Sequence, residues 1–146
     1  MSAQTRILIV DDDENITKTI ATILKDQDYS IDTATTGSEA VSKTQKNLYD
    51  LILIDIRLPD MEGVDLLNKI NDTVPKIRKI IMTGFPTLQN AIKAVNTGAD
   101  AYIIKPFDVE KMLAVIKEQI EKQEQERAFS EDRVAMFIAT RIRESE

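Results

Sequence analysis

The chain has 146 residues and a mass of 16.5 kDa, which suits one domain of ordinary size with a short appendage. Its composition, 42% hydrophobic and 30% charged, is typical of a folded globular protein. The net charge of -6 argues against direct binding of nucleic acids or membrane surfaces, and the absence of His and Cys excludes disulfides, thiolate zinc sites and imidazole catalysis.

The N-terminal stretch "MSAQTRILIV" has one basic residue and an apolar run of only four, too short for a secretory signal. No stretch of the sequence approaches the 18 or so apolar residues that span a bilayer. We therefore expect a cytoplasmic protein that does not associate with membranes.

Short apolar runs alternate with helical patterns along the chain. In order, they predict a strand at 7–10 and a helix at 14–26, a strand at 29–34 and a helix at 37–46, a strand at 51–54 and a helix at 64–70, a strand at 79–82 and a helix at 87–97, and a strand at 101–105 and a helix from Asp108. Four runs are continuously aliphatic, which favours a parallel sheet covered on both faces, whereas the alternating run at 29–34 indicates an edge strand. This alternation predicts a three-layer α/β fold with right-handed crossovers.

Beyond the last strand, the stretch "EKQEQER" has no apolar residue to bury, so the domain is predicted to cover residues 1–121 and a helical extension or linker residues 122–146. Ser130 could cap a final helix whose apolar face carries Val134, Phe137, Ile138 and Ile142. A helix this short is marginal alone, so its apolar face needs a partner. We expect an α-helical extension of the fifth predicted helix that supports dimerisation or partner binding.

Polar side chains follow four of the predicted strands directly at their carboxyl ends. Ligands bind at the carboxyl ends of the strands in open α/β sheets. These side chains are Asp11, Asp12 and Asp13 after the first run, Asp55 after the third, Thr83 after the fourth and Lys105 after the fifth. Most of them also have a purely structural interpretation. The three Asp residues could cap the following helix, with Asp13 nearest to it, Thr83 could open a loop, and Lys105 could be a solvated strand end. Their conjunction favours one site instead.

A strand order of 2-1-3-4-5 would bring Asp11, Asp12 and Asp55 into one pocket. Two carboxylates about 4 Å apart repel by about 4 kcal/mol at an effective dielectric constant near 20, so a cation or protons must compensate. Oxygen ligands without His or Cys favour a hard ion such as Mg²⁺ or Mn²⁺. An Asp can also accept a phosphoryl group, which a Lys and a Thr can stabilise.

The motifs "ILIVDDD", "LILIDIRLPDMEG", "IIMTG" and "AYIIKPF" resemble, in order and spacing, those of two-component response regulator receiver domains over residues 6 to about 121. The resemblance implies a flavodoxin-like (βα)5 fold with a parallel five-stranded sheet of order 2-1-3-4-5. It also implies that Asp55 accepts a phosphoryl group from a sensor histidine kinase or a phosphotransfer protein. Asp12 would bind Mg²⁺ directly and Asp11 partly through water, together with Asp55 and the backbone carbonyl of Arg57.

The same resemblance implies that Thr83 and Lys105 bind the phosphoryl oxygens and that the Lys105–Pro106 peptide bond is cis. Thr83 and Tyr102 would act as the switch that changes the face built from the fourth helix, fifth strand and fifth helix. Receivers usually meet targets or form homodimers through that face.

Several residues of the neighbouring loops complete the predicted site. Gly84 leaves access for a phosphodonor, and Phe85 is predicted to limit the approach of hydrolytic water. Pro59 and Gly63 belong to a loop that shapes the rim of the pocket, where Asp60 is expected to be merely solvated surface.

Three other functions fit the sequence less well. A Mg²⁺-dependent phosphatase with an Asp nucleophile needs a second Asp two residues later, where this chain has Arg57, and a cap domain. An FMN-binding module would not place three Asp beside a phosphate. A phosphorylation-independent scaffold would not need all five of the residues expected to bind the metal and the phosphoryl group, which are Asp11, Asp12, Asp55, Thr83 and Lys105. We therefore expect a phosphoacceptor that assists its own phosphorylation and dephosphorylation, and not an enzyme acting on separate substrates.

Overall fold

A computed structural model describes residues 4–71, 73 and 75–145, with side chains described as far as residue 141. Ten elements alternate along it: β1 Arg6–Val10, α1 Glu14–Asp26, β2 Ser30–Ala34, α2 Gly37–Lys46, β3 Leu51–Asp55, α3 Gly63–Lys69, β4 Arg78–Thr83, α4 Leu88–Thr97, β5 Ala101–Ile104 and α5 Val109–Ser145. The predicted alternation of strands and helices is therefore confirmed. No helix in the described part of the chain combines the length and apolar character needed to cross a membrane.

All five strands lie parallel in one sheet of order β2-β1-β3-β4-β5, as predicted. The expected edge position of β2 is confirmed, and β5 forms the opposite edge. The chain forms β2 on one side of β1 and then returns to form β3 on the other side, so the direction of the connections reverses between the adjacent strands β1 and β3. This switch point places the loops after β1 and β3 side by side at the carboxyl edge of the sheet.

Each face of the sheet carries its own apolar core, because alternate residues of a strand point to opposite faces. On one face, Ile7, Ile9 and Leu53 pack with residues of α1 and α5. On the other, Leu8 and Ile54 pack with residues of α2, α3 and α4. Full burial of an aliphatic side chain contributes roughly 1.5–3 kcal/mol, so these strands fix the positions of the loops at their ends.

Residue conformations at the helix ends match the sequence signals. Asp13 caps α1, accepting hydrogen bonds from the backbone N–H groups of Asn15 and Ile16. Gly98 ends α4 in the left-handed conformation, with φ of 109°, as its position after the apolar pattern predicts.

The apolar residues that predict α4 lie on its exposed side. Leu88, Ile92 and Val95 are all exposed, whereas Ala94 is the residue of this helix buried against the sheet. Small side chains on the inner side let the helix lie close to the core, so the hydrophobic period located the helix without identifying its buried face.

The predicted helical extension of the fifth helix is confirmed, whereas the possible cap at Ser130 is wrong. A single helix, α5, continues from Val109 to Ser145, and Ser130 lies in its interior. The stretch contains no Gly or Pro, and Glu, Lys, Gln and Arg have high helix propensity, so nothing interrupts the helix after the domain. The side chain of Ile142, predicted on the apolar face, lies outside the described residues.

Polar residues anchor the middle of α5 to the domain. The Gln123 side chain is only 2% exposed and donates hydrogen bonds to the backbone carbonyls of Asp50 and Lys76, at 2.9 and 3.1 Å. Nearby, Arg127 pairs with Asp50, at 3.3 Å. The stretch expected to be solvated therefore includes a buried anchor, and contacts with the domain continue past residue 121.

Candidate functional site

Strand register brings the predicted acidic residues together. Val10 of β1 is aligned with Ile54 of β3, so Asp11 and Asp55, the residues that follow them, lie side by side at the carboxyl edge of the sheet. One carboxylate oxygen from each of Asp11, Asp12 and Asp55 lies within 4.8 Å of the others. The expected acidic pocket is therefore present at the switch point.

Asp11 is the buried member of this acidic group. It is 1% exposed, and its two oxygens have different partners: Oδ1 accepts a hydrogen bond from the backbone N–H of Asp13 at 3.0 Å, and Oδ2 lies 2.6 Å from Nζ of Lys105. Asp12, in contrast, is exposed to solvent. The burial difference makes Asp12 the more accessible of the two carboxylates.

Lys105 faces Asp55 as well, with Nζ 3.4 Å from Oδ1 of that residue. Burial and the charge of Asp11 raise the pKa of Asp55, while the charge of Lys105 opposes that rise. Burial alone would lower the pKa of Lys105, but its hydrogen bond to Asp11 and the charges of Asp11 and Asp55 outweigh burial and raise that pKa overall. The pocket thus has a surplus of negative charge with one ammonium group shared by two carboxylates.

Four predicted residues line the same open pocket beside Asp55. They are Arg57, Thr83, Gly84 and Phe85, and Lys105 completes the wall. Thr83 is fully buried, and its Oγ1 accepts a hydrogen bond from the backbone N–H of Phe85 at 3.1 Å. The Phe85 ring is 76% exposed at the mouth of the pocket. Asn90 of α4 also lines it, although no sequence signal distinguished this residue.

Gly63 is more than a loop residue, because it begins α3 directly against the phosphoacceptor candidate. A Cβ atom at Gly63 would lie 2.3 Å from the backbone carbonyl oxygen of Asp55. The Gly63 N–H also donates to the carbonyl of Ile56 at 2.8 Å. Pro59 lies exposed in the intervening loop. Close backbone approach, which only glycine permits, therefore holds the end of β3 against α3.

The expectation that Asp60 is merely solvated surface is wrong. Its two carboxylate oxygens accept hydrogen bonds from the backbone N–H groups of Gly37 and Ser38, at 2.8 and 2.9 Å, and from the Ser38 hydroxyl at 2.8 Å. These bonds lower its pKa to about 2. Asp60 thereby ties the loop after β3 to the first turn of α2, a contact between segments 23 residues apart that no local pattern indicates.

Tyr102 and Pro106 lie outside the acidic pocket. Both line a separate groove between β5 and the start of α5. The Tyr102 ring packs against the core on the α4 side of the sheet, and its hydroxyl is buried without a hydrogen-bond partner among the described residues. The Lys105–Pro106 peptide bond is cis, as expected.

The donor set suits a hard divalent cation. All three clustered side chains supply carboxylate oxygens, which Mg²⁺ and Mn²⁺ prefer, and the described residues place no sulfur or imidazole beside them. Asp11, Asp12 and Asp55 would hold such an ion, and the adjoining loop brings Arg57 to the same pocket.

Comparison with known proteins agrees with this geometry. The family model for the response regulator receiver domain matches residues 7–117. This chain belongs to the response regulator receiver family. The match covers every residue of the acidic pocket, from Asp11 to Lys105.

Relatives of this receiver include complete regulators. Response regulator ArlR of Staphylococcus saprophyticus is 37% identical over 123 residues, which cover 83% of this chain and 54% of the relative. Transcriptional regulatory protein ZraR of Klebsiella oxytoca is 33% identical over 117 residues, which cover 80% of this chain and 26% of the relative. The chain thus spans about half the length of ArlR and a quarter of ZraR.

Solved receivers have the same fold. A CheY-like receiver domain protein of Methanospirillum hungatei superposes with a TM-score of 0.81 at 42% identity, covering 85% of this chain and 99% of that structure. The beryllofluoride-activated NtrC4 receiver domain dimer superposes with a TM-score of 0.76 at 36% identity, covering 81% of this chain and 98% of that structure.

Proposed function

We propose that this receiver takes a phosphoryl group onto Asp55 from a sensor histidine kinase or a phosphotransfer protein, in a reaction that depends on Mg²⁺ or Mn²⁺. The observation that carries the proposal is the pocket itself: Asp55 is grouped with two further carboxylates and lies 3.4 Å from the Lys105 ammonium. Membership of the receiver family supports the same assignment.

In the transfer, one carboxylate oxygen of Asp55 attacks phosphorus while the bond from phosphorus to the donor imidazole nitrogen breaks. The nitrogen keeps the bonding electron pair and takes a proton from solvent, and Asp55 becomes an acyl phosphate. Lys105 neutralises part of the charge on the transferred oxygens. A bound divalent cation would reduce the repulsion between those oxygens and the pocket carboxylates.

Thr83 connects the phosphoryl group to the outer face of the domain. Its oxygen accepts a hydrogen bond from the Phe85 N–H, so its own hydroxyl proton can be donated to a phosphoryl oxygen. Movement of Thr83 toward Asp55 would shift the loop that leads into α4. We infer that the changing surface is the exposed apolar strip of α4 and β5, formed by Leu88, Ile92, Val95 and Ile104.

Such a strip on a protein surface is typical of a site for target binding or dimerisation, and Tyr102 of β5 packs against the core on the α4 side of the sheet. The chain therefore serves as a phosphorylation switch that acts by contact with other proteins. It assists its own phosphorylation and dephosphorylation and does not turn over a separate substrate.

The test is to incubate the protein with Mg²⁺ and acetyl phosphate and to measure its intact mass. We expect the mass of one phosphoryl group to be gained, and the gain to disappear when EDTA removes the metal. Asp55→Asn should show no gain, whereas Asp65→Asn, which removes an exposed carboxylate of α3, should behave as the unaltered chain does. Absence of any gain in the unaltered protein would support a phosphorylation-independent scaffold instead.

A further inference from the structure

The C-terminal part of α5, which we define as the C-terminal rod (residues 128–145), extends beyond the domain as a single helix. At about 1.5 Å per residue it is roughly 27 Å long. Gln123 and Arg127 fix its base to the starts of β3 and β4, so the direction in which the rod leaves the domain is set by buried contacts. The rod is therefore an oriented structural element.

One side of the rod is apolar and uncovered. Val134, Phe137 and Ile138 are 58%, 60% and 52% exposed, and they lie within one and a half turns of each other on the side that continues the domain-facing side of α5. An open groove runs along this side from the domain residue Pro75 past Ser130 to Ile138. An apolar surface rimmed by polar residues is typical of an association site.

We propose that the rod pairs with the rod of a second copy of this chain, and that the two helices run antiparallel. A second copy presents the same apolar surface, and an isologous two-fold pairing would bury the same apolar side chains on both partners. The pairing goes beyond the phosphorylation switch and does not require it.

The antiparallel direction follows from the charges beside the apolar side chains. Arg127 and Arg141 lie on the same side of the helix, seven residues before and after Val134, and Glu131 lies between them. Parallel helices would place each Arg against its own copy, and like charges in contact repel. Antiparallel helices centred near residue 136 would instead place Arg141 beside Glu131 of the second copy.

The wider charge distribution favours the same direction. Residues 121–132 carry five acidic and two basic residues, and residues 133–143 carry three basic residues and no acidic one. Antiparallel pairing sets the acidic half of one helix against the basic half of the other. Parallel pairing would align both acidic halves and both basic halves, which is unfavourable at low salt.

The role of the apolar side of the rod in dimerisation is tested by sedimentation velocity of the full, unphosphorylated chain over a range of concentrations. We expect a concentration-dependent dimer that Val134→Asp and Ile138→Asp each reduce at least tenfold in association constant. Met136→Asp, which places the same charge at an exposed position on the opposite side of the rod, should leave the dimer intact. A chain that stays monomeric throughout, or equal loss of dimer in Met136→Asp, would overturn the proposal.

The direction is tested by a charge exchange. Glu131→Arg and Arg141→Glu alone should each weaken the dimer roughly threefold or more, in line with the strength of exposed ion pairs, and the double variant should recover most of the affinity. These residues are ten positions apart, about 15 Å along one helix, so recovery within a single chain is excluded. A double variant no stronger than either single one would contradict antiparallel pairing.

Cross-linking tests the direction of the pair independently. Single cysteines can be introduced for this purpose because the chain has none of its own. With a short bismaleimide, Ala135→Cys, near the two-fold axis, should form covalent dimers. Ser130→Cys should not, because the two copies of residue 130 would lie roughly 18 Å apart along the helices. Efficient self-linking through residue 130 would establish a parallel pair and overturn the proposal.

Discussion

Asp55 depends on Gly63 through the backbone, because the two residues touch where β3 ends and α3 begins. The sequence predicts which side chains the fold brings together, because carboxylates, a hydroxyl and an ammonium at the ends of four strands can be recognised from the sequence alone. It cannot predict Asp60, whose partners Gly37 and Ser38 approach only after the chain has folded. Contacts of this kind depend on tertiary approach and leave no periodic trace.

Gly63→Ala should destabilise the domain and slow phosphorylation of Asp55. The added Cβ would meet the Asp55 carbonyl at 2.3 Å, and relief of such overpacking typically costs about 1–3 kcal/mol. The measurement is the free energy of unfolding in urea, together with the rate of phosphorylation by acetyl phosphate. Gly84→Ala is the matched control, because a Cβ there meets nothing within 4 Å; equal stability of the two variants would refute the steric argument.

Phe85→Ala should shorten the lifetime of the phosphorylated protein. The ring lies at the mouth of the pocket that contains Asp55, where it can limit the approach of water to the acyl phosphate. Because Phe85 is largely exposed, its removal should leave the free energy of unfolding nearly unchanged. The half-life of the phosphorylated form reports on the role directly, and an unchanged half-life would dispose of it.

Among the elements, the loop after β3 shows how α2 and the site are joined. Asp60 accepts hydrogen bonds from the first turn of α2, which also stabilises the partial positive charge at the start of that helix. The helix patterns located all five helices, yet they did not show which side of α4 faces solvent. Period and propensity identify a helix, whereas its buried side depends on what packs against it.

Asp60→Asn should lower stability at neutral pH by an amount that shrinks in acid. The folded-state pKa of Asp60 is about 2, below its ordinary value of 3.8, so its contribution is fully present above 3.8 and is lost as the pH falls toward 2. Urea unfolding of both proteins between pH 7 and pH 3 measures the difference. The exposed Asp26→Asn serves as a control with little expected effect. A difference independent of pH would rule out this cause.

At the scale of the whole molecule, α5 joins the two ends of the sheet. It begins after Lys105 at the carboxyl edge of the sheet, where Asp55 lies, and is anchored by Gln123 near the amino edge. The family resemblance predicted the sheet order correctly, but the composition of "EKQEQER" gave no sign of the anchor. A polar side chain can be buried when backbone carbonyls satisfy it, and composition alone does not reveal those partners.

Gln123→Ala should destabilise the domain by about 1–3 kcal/mol, because it removes two hydrogen bonds to backbone carbonyls at a buried position. Gln125→Ala makes the same substitution two residues later at an exposed position of the same helix, so it controls for helix propensity. The urea midpoint of each variant is the measurement. If both variants matched the unaltered protein, the anchor would contribute nothing to stability.

The central claim, that Asp55 is the residue that carries the phosphoryl group, is tested most directly by chemical trapping. The phosphorylated protein is reduced with borohydride, which converts an acyl phosphate to homoserine, and its peptides are sequenced by mass spectrometry. We predict homoserine at residue 55, with Asp11 and Asp12 unchanged. Homoserine at either of those neighbours, or at no residue of a protein that has gained phosphoryl mass, would contradict this account.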